Sequence, residues 1–265
     1  MRIIKYVFFL IVSGVGFSAE NFGNFIYYDS QARAKEIIYE KEDGFAVVEG
    51  DILVKKLSQI DKIPRAAIIR QIGGERWVNG EVPYKFGDLS EENKNAVLNA
   101  MHLWETQTVI KFIEITTENA HNYPDYLLFV SFNGKNSSSF VGKQGGEQIV
   151  KIAISCKPFS AAHEIGHAIG LWHEQSRADR DKYVTILWDN IDEDYKFNFN
   201  QHIGDGQDLL EYDYDSLMHY SAYAFSKNGQ QTITPVNKDV NIGQRTHLSD
   251  KDIAAIMVMY ARSLM

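Results

Sequence analysis

The stretch that most constrains this chain is HEIGHAIGLWH, residues 163 to 173. It holds three of the chain's eight histidines. His163 and His167 are four apart, so on a helix they differ by about 40° of rotation and one turn of rise, and both rings point the same way. Two imidazoles at that spacing can grip one Zn²⁺. Glu164 lies beside the first ligand, within reach of a water at the metal but not itself a ligand. Gly170 accepts positive φ and lets the chain turn sharply, so His173 can swing back as a third ligand. One position stays open for water, as a catalytic zinc site requires. Zinc acidifies such a water to a pKa of roughly 7, and Glu164 is placed to take its proton and hand it to a leaving amine. The bland alternative is a helix with surface histidines. It explains neither the glycine nor the third histidine.

The rest of the chain bounds this reading. Its 265 residues, 45% hydrophobic and 23% charged, suit one globular domain plus a smaller segment. A net charge of −8 argues against a nucleic-acid partner. Arg2 and Lys5 precede an apolar run from Tyr6 to Val15, then small residues to Ala19. That is the pattern of a signal peptide cut after Ser18 or Ala19. The run falls short of the roughly 20 residues a membrane span needs. The expected location is therefore secreted, or periplasmic in a bacterium, with no span. Cys156 is the only cysteine. An internal disulfide is excluded, and a buried apolar thiol is favoured over a reactive one.

Residues 20 to 62 read as polar and charged, with one hydrophobic patch at 45 to 48. A linker around DKIPRAAII follows, and the character changes near Arg65. Beyond it, Asn79-Gly80 marks a turn and Ser90 a helix N-cap, the helix running to about Thr106 with Val97, Met101 and Trp104 on one face. Strands are expected at 108–115, 125–132 and 147–154, the histidine helix from about Ser160, and a last helix near 249–262. This mixture, out of strict alternation, indicates an α+β domain.

The glycine and third histidine extend the motif to the metzincin form. SLMHY, residues 216 to 220, supplies Met218 for that clan's methionine turn. HEIGHAIGLWHEQSRADRD (163–181), SLMHY and, more loosely, WVNGEVPY (77–84) together resemble the astacin family of zinc metalloendopeptidases, over roughly residues 66 to 265. The resemblance implies a two-lobed domain. A twisted sheet and the zinc helix form the upper lobe, above an irregular lower lobe. It implies one Zn²⁺ per chain, held by His163, His167 and His173, with Glu164 as catalytic base. Tyr220 would be an added ligand in the resting enzyme and would stabilise the oxyanion when displaced. Glu174 would meet the new N-terminus after activation, and the strand near Tyr126–Phe132 would pair with an extended substrate.

Residues 19–65 then read as a propeptide, and 66–265 as the catalytic domain. VEGDI (48–52) resembles the family's FxGD inhibitory motif, which makes Asp51 the zinc-capping residue of the zymogen. Cleavage by an activating protease is expected after Arg65, with Lys62 as a rival. The implied partners are protein or peptide substrates, cut by a monomer, with an acidic residue preferred just after the scissile bond. The family's two disulfides are missing: Val109 and Leu264 stand near one pair, and Ser137 stands opposite Cys156 for the other. That leanness resembles bacterial members. A catalytically inactive metal-binding or adhesion protein on the same scaffold is the alternative.

Overall fold

The computed structural model describes residues 20–28, 34–60, 74–154, 156–202 and 206–261. The N-terminal strands are β1 (Phe22–Tyr28), β2 (Ala34–Glu42), β3 (Phe45–Val48) and β4 (Ile52–Lys56), followed by the one-turn helix α1 (Leu57–Ile60). Then come β5 (Glu81–Phe86), α2 (Glu91–Gln107), β6 (Lys111–Glu114), β7 (Tyr126–Phe132), β8 (Ser139–Phe140), β9 (Glu147–Ala153) and α3 (Pro158–Ala168). Strands β10 (Val184–Ile186) and β11 (Ile233–Pro235) and helix α4 (Asp250–Ala261) complete the described chain. Asn79 and Gly80, at φ 56° and 72°, turn the backbone into β5, so the expected turn-and-strand is present.

Four strands form a parallel sheet in the order β6-β5-β7-β9. Leu127 and Phe129, two apart on β7, are fully buried and face the core together, while their neighbours on the other face are half-buried. Helix α2 begins where Ser90 Oγ accepts from Asn93 N at 3.2 Å, with Glu91 and Glu92 complementing the helix dipole. It buries Val97, Ala100, Met101 and Trp104 in one core with Val82, Ile152 and Ile165. A fully buried side chain of this size contributes about 1.5–3 kcal/mol by leaving water. This core therefore fixes α3 against α2. Helix α3 starts at Pro158, two residues before the expected Ser160, because proline fits the first helical turn.

The described residues between 174 and 249 are mostly turns and 3₁₀ segments around a second core of Val184, Ile191, Phe199, Tyr212, Tyr220 and Ile233. Arg180, 4% exposed, staples it by donating to the carbonyls of Gln175 and Phe199 at 3.0 and 2.6 Å. Helix α4 returns to the first core through Ile256 and Tyr260. The two-lobed α+β arrangement thus matches the expectation.

Two expectations need correction. Strand β7 is not an edge: β5 flanks it on one side and β9 on the other. An apolar run identifies a strand but not its place in the sheet order. The strand that meets an extended segment is β8, which pairs in parallel with β4. Second, the described residues between 20 and 56 hold far more structure than one patch. They form an antiparallel meander, β1-β2-β3-β4, that joins β8 to make a five-stranded sheet. Only scattered positions such as Tyr39 are buried in β1 and β2, so their alternation is weak in sequence. Lys151 of β9, 2% exposed, is covered by this meander. Its Nζ lies 3.2 Å from Asp43 and 4.6 Å from the ring centres of Phe45 and Phe132. The Arg65 and Lys62 cut sites, the new N-terminus after either, the signal segment and Leu264 lie outside the described residues.

Candidate active site

Helix α3 carries His163, Glu164 and His167, all buried. It ends at Ala168, and Gly170, at φ +116°, reverses the chain, with Gly170 N and Leu171 N donating to His167 O and Gly166 O at 2.8 and 2.9 Å. The turn brings His173 back: its ring centre is 4.7 Å from that of His167 and 5.2 Å from that of His163. Met218 lies beneath, close enough that a Cβ added at Gly166 would fall 2.7 Å from its sulfur. Glycine at that helical position therefore permits the close approach of the methionine turn.

Each histidine has one nitrogen committed. His163 Nδ1 contacts Leu217 O at 2.9 Å, His167 Nδ1 contacts Leu171 O at 2.8 Å, and His173 Nδ1 contacts Glu49 Oε2 at 2.7 Å. With each Nδ1–H donated, Nε2 is the nitrogen that each neutral ring leaves for a metal. Facing these is Asp51, from the turn between β3 and β4. Its oxygens lie 3.3 Å from His163 Nε2, 3.7 Å from His167 Nε2 and 3.3 Å from His173 Nε2. Asp51 and the three histidines offer ligand atoms that all lie within 4.8 Å of one another, the one such cluster among the described residues.

Whether a metal fits is decided by what these atoms lack. Asp51 Oδ1, Glu164 Oε2 and His167 Nε2 are buried with no hydrogen-bond partner. Buried polar atoms are almost always paired, and two unpaired atoms of one cluster, Asp51 Oδ1 and His167 Nε2, fit a cation between them. Charge agrees. Burial alone would lower the His173 pKa, but Asp51 and Glu49 outweigh it and push it up to about 9, so the site favours positive charge. Burial would likewise raise the Asp51 carboxyl, yet His173 and His163 hold it well below the usual carboxylate range. Burial and then Arg245 bring His163 down to about 4, keeping that ring neutral as a ligand must be. Burial, reinforced by Asp51, pushes the Glu164 carboxyl well above its ordinary value.

Tyr220 sits beside the cluster, its ring 4.6 Å from that of His173. Its hydroxyl donates to the backbone carbonyl of Glu49. Glu174, half-buried, accepts from Asp213 N through its Oε1 at 2.7 Å, and its desolvation raises its pKa to about 8. A cleft of about 890 Å³ runs past Asp51, His163, Glu164 and Tyr220 to Arg245, between the two lobes. Sequence reasoning missed Glu49, Arg245 and His202. Arg245 and His202 stand in unmarked stretches, Glu49 at the variable position of VEGDI, and only the fold brings the three to the site. Cys156 is a buried free thiol whose pKa burial raises, so it is the inert alternative. Ser137 Oγ lies 3.5 Å from its sulfur, where a bridging partner would stand.

Three buried histidines on a helix and its reversing turn, beside a carboxylate and above a methionine turn, define a zinc metalloendopeptidase centre. A family model described as Astacin, a peptidase family, matches residues 70–261. High choriolytic enzyme 1, a hatching enzyme zinc-protease from Oryzias latipes, has a similar fold (TM-score 0.63) at 36% identity, covering 71% of this chain and 94% of that one. Zinc metalloproteinase nas-4 of Caenorhabditis elegans is 36% identical over 226 residues, 80% of this chain and 68% of its own length. Tolloid-like protein 1 of Homo sapiens is 37% identical over 226 residues, 80% of this chain but 21% of that protein. The chain belongs to the astacin family. These animal relatives lend no support to a bacterial likeness. Among the described residues no helix is long and apolar enough to cross a membrane.

Proposed function

We propose that the chain is a secreted zinc endopeptidase made as a zymogen, with residues 19–65 as a propeptide that blocks the metal site. The observation that carries this reading is the Asp51 carboxylate, delivered by the β3–β4 turn into the midst of the three histidine Nε2 atoms. A carboxylate there takes the space the attacking water needs. Backbone pairing of β4 with β8 adds to the block by occupying the strand beside the cleft.

His163, His167 and His173 would hold the zinc, with Asp51 as the further ligand of the uncut chain. When bound, zinc supplies Lewis-acid polarisation of the peptide carbonyl and acidifies the attacking water. Glu164 accepts that water's proton and passes it to the leaving amine. Removing the propeptide frees the Tyr220 hydroxyl from Glu49 O. It can then ligate in the resting enzyme and, when substrate arrives, donate to the oxyanion. Arg245 lines the cleft beside Glu164 and supplies the positive charge that an acidic residue just past the scissile bond would meet. Glu174, which lines a cavity of about 250 Å³ together with Gly74, would meet the N-terminus released by cleavage near Arg65. Residues 1–18 direct secretion, and the enzyme acts as a monomer on protein or peptide substrates.

The test is cleavage of a quenched fluorescent peptide library by the purified full chain, before and after limited trypsin, with and without a zinc chelator. Activity should appear after trypsin, vanish with chelator and be lost in Glu164→Ala, which retains its zinc. A cut, zinc-loaded protein that cleaves nothing in the library would instead support the inactive binding protein.

A further inference from the structure

The three histidines do not draw on the same part of the chain for their support. His163 and His167 donate to the carbonyls of Leu217 and Leu171, both within the family-matched region. His173 donates to Glu49, which belongs to the N-terminal segment, 124 residues away. Glu49 is 3% exposed and sits at φ +51°, a conformation a side-chain-bearing residue adopts only when its surroundings hold it there. The surroundings do so at every polar atom. Its N–H donates to Asn198 Oδ1 at 2.6 Å and its carbonyl accepts from Tyr220. One carboxylate oxygen accepts from His173, and the other from Ser176 Oγ at 2.8 Å and from His202 Nε2. The His202 ring is itself stacked on Trp172, with centres 4.1 Å apart.

A carboxylate on the rear nitrogen of a metal-binding imidazole fixes the tautomer and ring orientation and makes the forward nitrogen a better donor than a carbonyl partner does. We infer that Glu49 is a positioning residue that completes a carboxylate–histidine–metal triad on His173, so that the N-terminal segment tightens the protein's hold on zinc as well as covering it. This rests on the zymogen reading above, but it concerns a different residue and a different atom from the Asp51 block. Linkage makes the effect reciprocal: zinc must hold the segment in place by the same factor as the segment holds zinc. Metal loading would then precede efficient latency, and departure of the segment would loosen a metal that the mature site keeps with one weaker partner.

The experiment is zinc competition against a chromogenic chelator with the uncut full chain, in wild type, Glu49→Gln and His202→Gln. Melting of the zinc-free forms and the absorption of the Co²⁺-loaded forms are recorded alongside. Glu49→Gln keeps the shape but removes the charge, and zinc affinity should fall by about 10- to 100-fold, with a shifted Co²⁺ band and unchanged melting of the zinc-free protein. His202→Gln lies outside the segment and should weaken zinc by a smaller factor in the same direction. It decides the matter if Glu49→Gln disturbs folding. Wild-type affinity and an unchanged Co²⁺ band in these variants overturn the inference. The zymogen reading fails separately, and visibly, if the uncut wild-type chain already cleaves peptides at the rate of the trypsin-treated one.

Discussion

The phenol of Tyr260 donates to the carbonyl oxygen of Ile169, 2.9 Å away, and so ties the last helix of the chain to the end of the helix that carries the histidines. Helix ends leave carbonyls without partners. Here Tyr260 supplies a partner for Ile169 O and Trp77 Nε1 one for Ala168 O at 2.8 Å, while Trp104 Nε1 adds a second donor to Ala162 O within the helix at 2.9 Å. The metal helix is thus anchored by aromatic donors from three separate elements, which holds its histidines in register with the turn at Gly170. Tyr260→Phe should cost about 1–3 kcal/mol, the penalty for one buried carbonyl left unpaired. It should lower the denaturant midpoint at unchanged slope.

The same tyrosine gives a pH dependence. Burial pushes its pKa from 10 up to about 12. Between those values the unfolded chain has lost the proton while the folded chain keeps it. The stability is fully present below pH 10 and falls as pH rises through about 12. Two units correspond to about 3 kcal/mol. Unfolding free energies of wild type and Tyr260→Phe should therefore converge between pH 10 and about 12. Parallel curves would contradict the assignment.

Gly170→Ala places a Cβ at φ +116° and 3.0 Å from Met259 Sδ. The strained backbone should cost about 1–3 kcal/mol, and the turn that returns His173 should open. Zinc content measured after dialysis should drop more than thermal stability does. A variant that keeps full zinc would show that His173 does not depend on this turn.

Ser137→Cys should bridge to Cys156, since the oxygen and sulfur are already 3.5 Å apart. A loop of this length is worth about 3 kcal/mol in chain entropy, and losing the Ser137 Oγ bond to Ala153 N offsets about 1 kcal/mol of that. Thiol titration should find no free thiol, and the melting temperature should rise. A free thiol pair would show that the backbone geometry is not that of a bridge.

How much of this was legible in sequence follows from distance along the chain. His163, Glu164 and His167 lie within five positions of one helix, and helical spacing alone groups them. His173 needed one further step, the glycine turn, which the structure realises. Ser90, Asn79-Gly80 and the apolar face of α2 were readable for the same local reason. Asp51 lies 112 residues before His163 and enters through strand pairing. Only its likeness to a short inhibitory motif marked it. His202 and Arg245 carry no local signature, and Glu49 holds only the variable position of that motif, because their contacts are made by residues far apart in the chain. The meander of residues 20–56 was obscured because it buries few side chains of its own. The place of β7 was missed because sheet order is not encoded in any one strand.

On the zymogen reading, Asp51 holds this protease latent from within its own metal site, and the most direct measurement is peptide cleavage by the uncut full chain carrying Asp51→Ala. Without the carboxylate the site should admit water and substrate even with residues 19–65 attached. The uncut variant should then cleave a chelator-sensitive peptide at a rate well above the uncut wild type, and the double variant with Glu164→Ala should be silent. An uncut Asp51→Ala chain as inactive as wild type, with zinc bound and trypsin still able to activate it, would contradict this role and place the block elsewhere in the segment.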